Sequence, residues 1–201
     1  MSGQNLILGI ETAVGGGSLS LVRDDAELVG WKGGEESLRA EDILVRIHDL
    51  LEAANVRSHD LTAIAVSAGP GSFTGIRVGL ATALGLARSL EVTFSSFQVL
   101  EAMASIHDLT GVAAIPMGRG AICAQNFESG RAIAEPFNTS ADDPLLGETS
   151  GTPLFHPDLL RGTHPRTIIL ERTLAEVLAK MAVKYPGSTS PPVFISRPIA
   201  A

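Results

Sequence analysis

Hydrophobic and polar positions change their period several times along the chain, and each change marks an element. Leu6–Glu11 is a compact apolar run closed by an acid, and after Gly15, Gly16 and Gly17 the stretch 18–22 alternates polar with apolar. Two such runs around a glycine break predict a β-hairpin. Asp24 and Asp25 supply the next turn, and 27–32 a third strand. Over 37–56 the period lengthens: Leu44, Ile47, Leu50, Leu51 and Ala54 recur at helical spacing, with Glu41, Asp42, Arg46, Asp49 and Glu52 on the remaining surface. A buried strand is expected at 62–67, a sharp break at Gly69, Pro70, Gly71 and Ser72, and a second helix at 74–90.

Beyond Glu91 the pattern predicts a strand at 92–95, a helix at 97–107 and a second set of strands from 112 to 127. The stretch 136–165 is rich in Pro, Gly, Thr, Ser and Asp with little periodicity, so a mobile loop is expected there. Helical spacing resumes over 173–184 through Leu174, Val177, Leu178 and Met181, before a proline-punctuated end and a short apolar run at 193–195. Three antiparallel strands, a helix, a strand, a glycine turn and a helix describe one lobe of the actin-type, ribonuclease-H-like fold. The expected division is a first lobe over 1–97 and a smaller, divergent second lobe over 98–201.

Composition narrows the function classes. Of 201 residues 45% are hydrophobic but only 4% aromatic, and Gly numbers 21, so the core must close on small and aliphatic side chains. A net charge of -7 without a basic stripe argues against independent nucleic-acid binding. One cysteine, Cys123, excludes an internal disulfide and a cysteine-based zinc cluster, and is expected to be a buried small hydrophobe. The apolar run 6–10 has no early Lys or Arg and is too short for a signal peptide, and no stretch reaches the roughly 20 apolar residues of a spanning helix. A cytoplasmic protein with no membrane role is expected.

Candidate chemistry concentrates at two places. Gly69, Gly71, Ser72 and Thr74 lie between a strand and a helix, where glycines allow close approach and free N–H groups suit an anion. With Glu11 and Thr12 at the end of the first strand they form a candidate phosphate loop, although the spacing is that of neither a P-loop nor a dinucleotide fingerprint. In the following helix Gly75, Gly79, Ala83 and Ala87 stand four residues apart, so one stripe is almost bare backbone on which a foreign helix, or the helix 37–56, could lie closely. No two of the five histidines are spaced for paired metal ligands on a helix, and no nucleophile elbow is present.

The runs Ile7, Leu8, Gly9, Ile10, Glu11, Thr12 and GPGSFTGIRVG over 69–79, with Leu80, Ala81, Thr82 and Ala83 behind it, resemble the TsaB (YeaZ) family. The likeness covers 6–104; further on it is patchy, at 113–115 and 192–197. It implies an actin-like ATPase fold without independent activity, paired with a catalytic paralogue, TsaD. With a small ATPase, TsaE, that pair transfers a threonylcarbamoyl group to the adenosine next to the anticodon of tRNA. The implied partner contact uses the two first-lobe helices, here through Leu44, Ile47, Leu51, Gly75, Val78, Gly79, Thr82, Ala83 and Ala87, and the same face makes a homodimer when the protein is alone. It further implies no metal and no cofactor bound by this chain alone, ATP or ADP only at the interface with partners, and tRNA contact only through the complex.

Departures from the family pattern lie elsewhere. The paralogue's paired metal histidines fall near Ser96 and Leu100, the usual Asp-Ala-Arg segment becomes Pro116, Met117, Gly118 and Arg119, and a His common at the start of the first long helix falls near Arg39. The alternatives are an independent actin-like nucleotidase or metallopeptidase-like enzyme, and a homodimeric binding module with a role in cell division or viability.

Overall fold

The computed structural model describes residues 5–33, 42–118, 121–140, 154–155, 168–169 and 172–194. Its first sheet is built from β1 (Leu6–Glu11), β2 (Ser18–Arg23), β3 (Ala26–Lys32), β4 (Ala63–Ser67) and β5 (Thr93–Phe97), in the order β3-β2-β1-β4-β5. The first three strands are antiparallel, while β4 and β5 run parallel to β1. That mixture follows from the connections: a turn reverses the chain between β1, β2 and β3, whereas helices carry it from β3 to β4 and from β4 to β5. These are α1 (Ile43–Ala53) and α2 (Phe73–Leu90). This is the ribonuclease-H-like lobe of the actin-type fold.

Alternation along the strands divides the sheet into two faces. Leu6, Leu8, Ile10, Leu19, Leu21, Ile64 and Val66 form one core with Ile43, Ile47, Leu50 and Leu51 of α1 and Ala83 and Ala87 of α2. Ile7, Val22, Ala63 and Ala65 look the other way, onto α3 (Val99–Ile106) and α4 (Leu174–Lys184). The same cluster continues through Ala113, Ile115, Cys123 and Phe127 into a second sheet. The layers are therefore α1 and α2, the first sheet, α3 and α4, and the second sheet.

The second sheet runs β11-β10-β6-β7-β8, with β9 also on β7: β6 (Gly111–Gly118), β7 (Ala121–Glu128), β8 (Arg131–Ala132), β9 (Phe137–Ser140), β10 (Leu154–Phe155) and β11 (Ile168–Ile169). Here 137–140, expected as loop, is a strand antiparallel to β7, and 154–155 pairs with β6. Most of the remaining expected loop lies outside the described residues, as does the start of the first helix before Asp42. Phe97 closes β5 instead of opening a helix.

α4 returns from the far end of the chain to the middle of the first sheet. It fits there because β1 carries Gly9: a Cβ at that position would collide with the Ala175 carbonyl. Ser18 Oγ accepts from the Ala175 N–H at 3.1 Å, satisfying one of the unpaired amides of the helix start, and Thr173 Oγ1 accepts from Glu176 N–H at 3.1 Å. Burial pushes the Cys123 thiol up to about 12, which keeps it protonated and unreactive, as expected of a buried hydrophobe.

Candidate functional site

The candidate phosphate loop is occupied by the chain itself. The Ser72 N–H donates to the Ala13 carbonyl at 2.8 Å, and Thr12 Oγ1 donates to the Gly75 carbonyl at 2.7 Å. Gly71 and Gly75 are needed for this approach: a Cβ on Gly71 would lie 2.7 Å from Ala13, and one on Gly75 would overlap the Thr12 carbonyl. Ser72 caps α2, its Oγ accepting from the Gly75 N–H at 3.3 Å, and the Gly69 N–H donates to Ser67 Oγ. Among this group Ser72 and Thr74 remain exposed. The close approach that the glycines permit is made by the β1–β2 turn.

Glu11 is fully enclosed. Its Oε1 accepts from the Ala13 and Val14 N–H groups at 2.5 and 2.9 Å, so the acid ties together the turn that lies on α2. Burial outweighs these two hydrogen bonds and raises its pKa to about 8. The geometry is that of a turn-closing carboxyl.

The glycine and alanine stripe of α2 also faces inward. Gly79, Ala83 and Ala87 are buried, and a Cβ on Gly79 would stand 2.5 Å from Thr12 Oγ1 and 3.4 Å from Val66. This corrects the expectation that a foreign helix lies on that stripe: it is sealed inside the chain, against Thr12 and Val66 at Gly79 and, at Ala83 and Ala87, in the core that α1 shares. Ile47 and Leu51 of α1 are buried in the same core and leave the candidate contact surface with them. Ile76, on the same side of α2 as Gly79 and Ala83, is fully buried as well, in the neighbouring cluster with Ala13, Val14 and Phe97.

What faces outward is a second stripe. Ala81, Gly85 and Ser89 are exposed at four-residue steps, flanked by half-buried Val78 and Thr82, and nothing would meet a Cβ built on Gly85. The same helix exposes the apolar Leu84 (39%), and α1 exposes Leu44 (56%) and Val45 (58%). Of the candidate contact residues Leu44, Val78 and Thr82 stay available, and Val45, Leu84 and Gly85 join them. Among the described residues no three of His, Cys, Asp and Glu gather as metal ligands.

Residues 38–131, which include α1 and α2, match the family model described as TsaD: tRNA N6-adenosine threonylcarbamoyltransferase. The tRNA threonylcarbamoyladenosine biosynthesis protein TsaB of Bacillus subtilis is 35% identical over 102 residues, 49% of this chain and 43% of that protein. The protein of that name from Escherichia coli is 33% identical over 98 residues, 49% of this chain and 42% of that one. Over this stretch the chain is similar to the TsaB (YeaZ) proteins. The match spans under half the length of each of these relatives. YeaZ from Pseudomonas aeruginosa superposes with a TM-score of 0.65 at 18% identity, over 89% of this chain and 90% of that one, and a second solved structure, described as an uncharacterised protein similar to the peptidase YeaZ from Pseudomonas aeruginosa, gives 0.66 at 17% over 96% and 100%. Both share the fold.

Ser96 and Leu100, near which the resemblance implied that the paralogue's metal histidines fall, each have other contacts. Ser96 Oγ donates to the Ser190 carbonyl at 3.2 Å, and Leu100 is fully buried in the inner core. Arg39, Arg119, His156 and His164 lie outside the described residues. The outward stripe was legible in principle as the other small-residue repeat of α2; Gly and Ala occur on both sides, so the side could not be chosen from the spacing.

Proposed function

We propose that this chain is a non-catalytic scaffold of tRNA threonylcarbamoyladenosine biosynthesis that docks a TsaD-like partner through the outer face of α1 and α2. The observation that carries the proposal is Gly85. A glycine in the middle of an exposed helix costs about 1 kcal/mol relative to Ala, and nothing in this chain's own packing needs it, since a Cβ there would stand in open space. A helix from another protein lying almost against the main chain would need it. Leu44, Val45 and Leu84 then supply apolar area at the edges of that contact.

Glu11 bears on the enzyme alternative. An independent nucleotidase of this fold needs an acid directed at metal and water, and here Glu11 is enclosed and spent on its own turn. In the scaffold reading, nucleotide belongs to the interface with the TsaD-like and TsaE-like partners, tRNA is met through the complex, and two copies of this chain pair through the same face when alone. The family likeness supports the pathway, and the acidic balance of the chain agrees with leaving tRNA to a partner.

The test is reconstitution of tRNA modification from a TsaD-like protein and a TsaE-like ATPase with and without this chain. Product only when the chain is added, and none from the chain alone with ATP and tRNA, is the expected result. Equal product without it, or turnover by the chain alone that Glu11→Ala removes, would overturn the proposal.

A further inference from the structure

After α4 the chain passes along the free edge of β5 and ends its described course at the start of α2. The Ser96 N–H donates to the Ser188 carbonyl and the Ser190 N–H to the Ser96 carbonyl, both at 2.9 Å, so this segment supplies the pairing that an edge strand would otherwise lack. The Gly187 N–H adds a bond to Ser95 Oγ at 3.0 Å. Further on, the Val193 N–H donates to the Ala68 carbonyl at 2.8 Å, and a Cβ on Gly69 would lie 2.6 Å from the Val193 carbonyl. Phe194 then packs on Phe73, the first residue of α2, with ring centroids 5.0 Å apart, and the Arg77 guanidinium covers the Phe73 ring at 5.2 Å.

We infer that residues 187–194 form a clasp that opens as a unit, without unfolding the first sheet, and that its closure sets the first turn of α2. Three features carry this. Almost every residue of the segment is exposed, with only Ser190 and Val193 half-buried, so it is held by its hydrogen bonds to Ser95, Ser96 and Ala68 and not by burying apolar side chains of its own. Segments so held open at low free energy, independently of the core. Pro191 and Pro192 have fixed φ and no N–H, so they join the Ser190 attachment to the Val193 attachment as one stiff piece. At its far end the piece bears on Gly69 and Phe73, the two sides of the turn whose Ser72 N–H and Gly75 N–H complete the α2 start. Loosening the clasp frees that turn. A consequence for docking would rest on the scaffold reading above; the clasp itself does not.

Native-state amide exchange on the chain as it stands tests this without any partner. Ser190→Pro deletes the donor to the Ser96 carbonyl, and Phe194→Ala removes the ring contact. Both variants are expected to speed exchange at the Val193, Ser72 and Gly75 amides by at least about tenfold while the β1 and β4 amides keep their wild-type rates. Equal acceleration throughout β1 and β4 would show that the segment is part of the global fold. Acceleration at Val193 with Ser72 and Gly75 unchanged would show that it opens without touching α2, and no acceleration at Val193 would show that it does not open. Each of those three results overturns the inference.

Discussion

Glu11 shows how a residue's neighbours decide its role. Its folded pKa of about 8 stands above the ordinary carboxylate value of 4.5 because burial penalises the charge. Between those two values the folded chain holds a proton that the unfolded chain has released. Stability is therefore greatest below the lower value and falls as pH rises through the upper one, by a few kcal/mol at about 1.4 kcal/mol per unit. Glu11→Gln keeps an acceptor for the Ala13 and Val14 N–H groups and removes the charge. Urea titrations are expected to show a flatter pH profile for the variant and greater stability than wild type at about pH 9; equal pH profiles would mean that Glu11 is not enclosed. The acid itself was visible in the sequence, and so was its place at the end of a strand. Its enclosure was not, because burial at the end of a strand is decided by tertiary packing that no local period encodes.

Among the elements, α2 was read correctly in extent to within one residue at its start, because an apolar period bounded by Ser72 and Glu91 leaves little freedom. Its orientation was read wrongly. Glycine and alanine carry almost no side-chain information, and two stripes of small residues run along this helix; only the tertiary packing that buries Gly79, Ala83 and Ala87 decides between them. Opposite outcomes are expected on the two sides. Ala83→Glu would place a charge in a core that offers no partner in its apolar cluster, and is expected to cost at least about 3 kcal/mol or prevent folding. Gly85→Ala is expected to raise stability by up to about 1 kcal/mol, since it improves helix propensity and meets nothing. Thermal unfolding of the two variants checks both. The short strands β8, β9 and β10 escaped the sequence because two to four residues cannot establish a period; it is pairing, of β8 and β9 with β7 and of β10 with β6 and β11, that makes them strands.

Across the whole molecule, the order of the layers follows from α4. A helix from the last part of the chain fills the inner face of the first sheet, and together with α3 it joins both sheets in one apolar cluster. The expectation of a two-lobed fold was legible from the succession of elements, but this return was not, since no local pattern encodes which sheet a helix covers. The Ser18 hydroxyl is a buried polar link that seats the start of α4, and Ser18→Ala leaves the buried Ala175 N–H without that acceptor. A loss of about 1–3 kcal/mol in urea unfolding is expected, and an unchanged midpoint would mean that this hydrogen bond does not hold α4 in place.

The outer face carried by α1 and α2 is the part of the molecule from which function is read, and Gly85→Arg addresses it without disturbing anything beneath. Calorimetric titration of the purified chain with a TsaD-like protein should give binding for wild type and at least about a hundredfold weaker binding for Gly85→Arg, with the variant fully folded. Wild-type affinity in a folded Gly85→Arg chain would contradict the account.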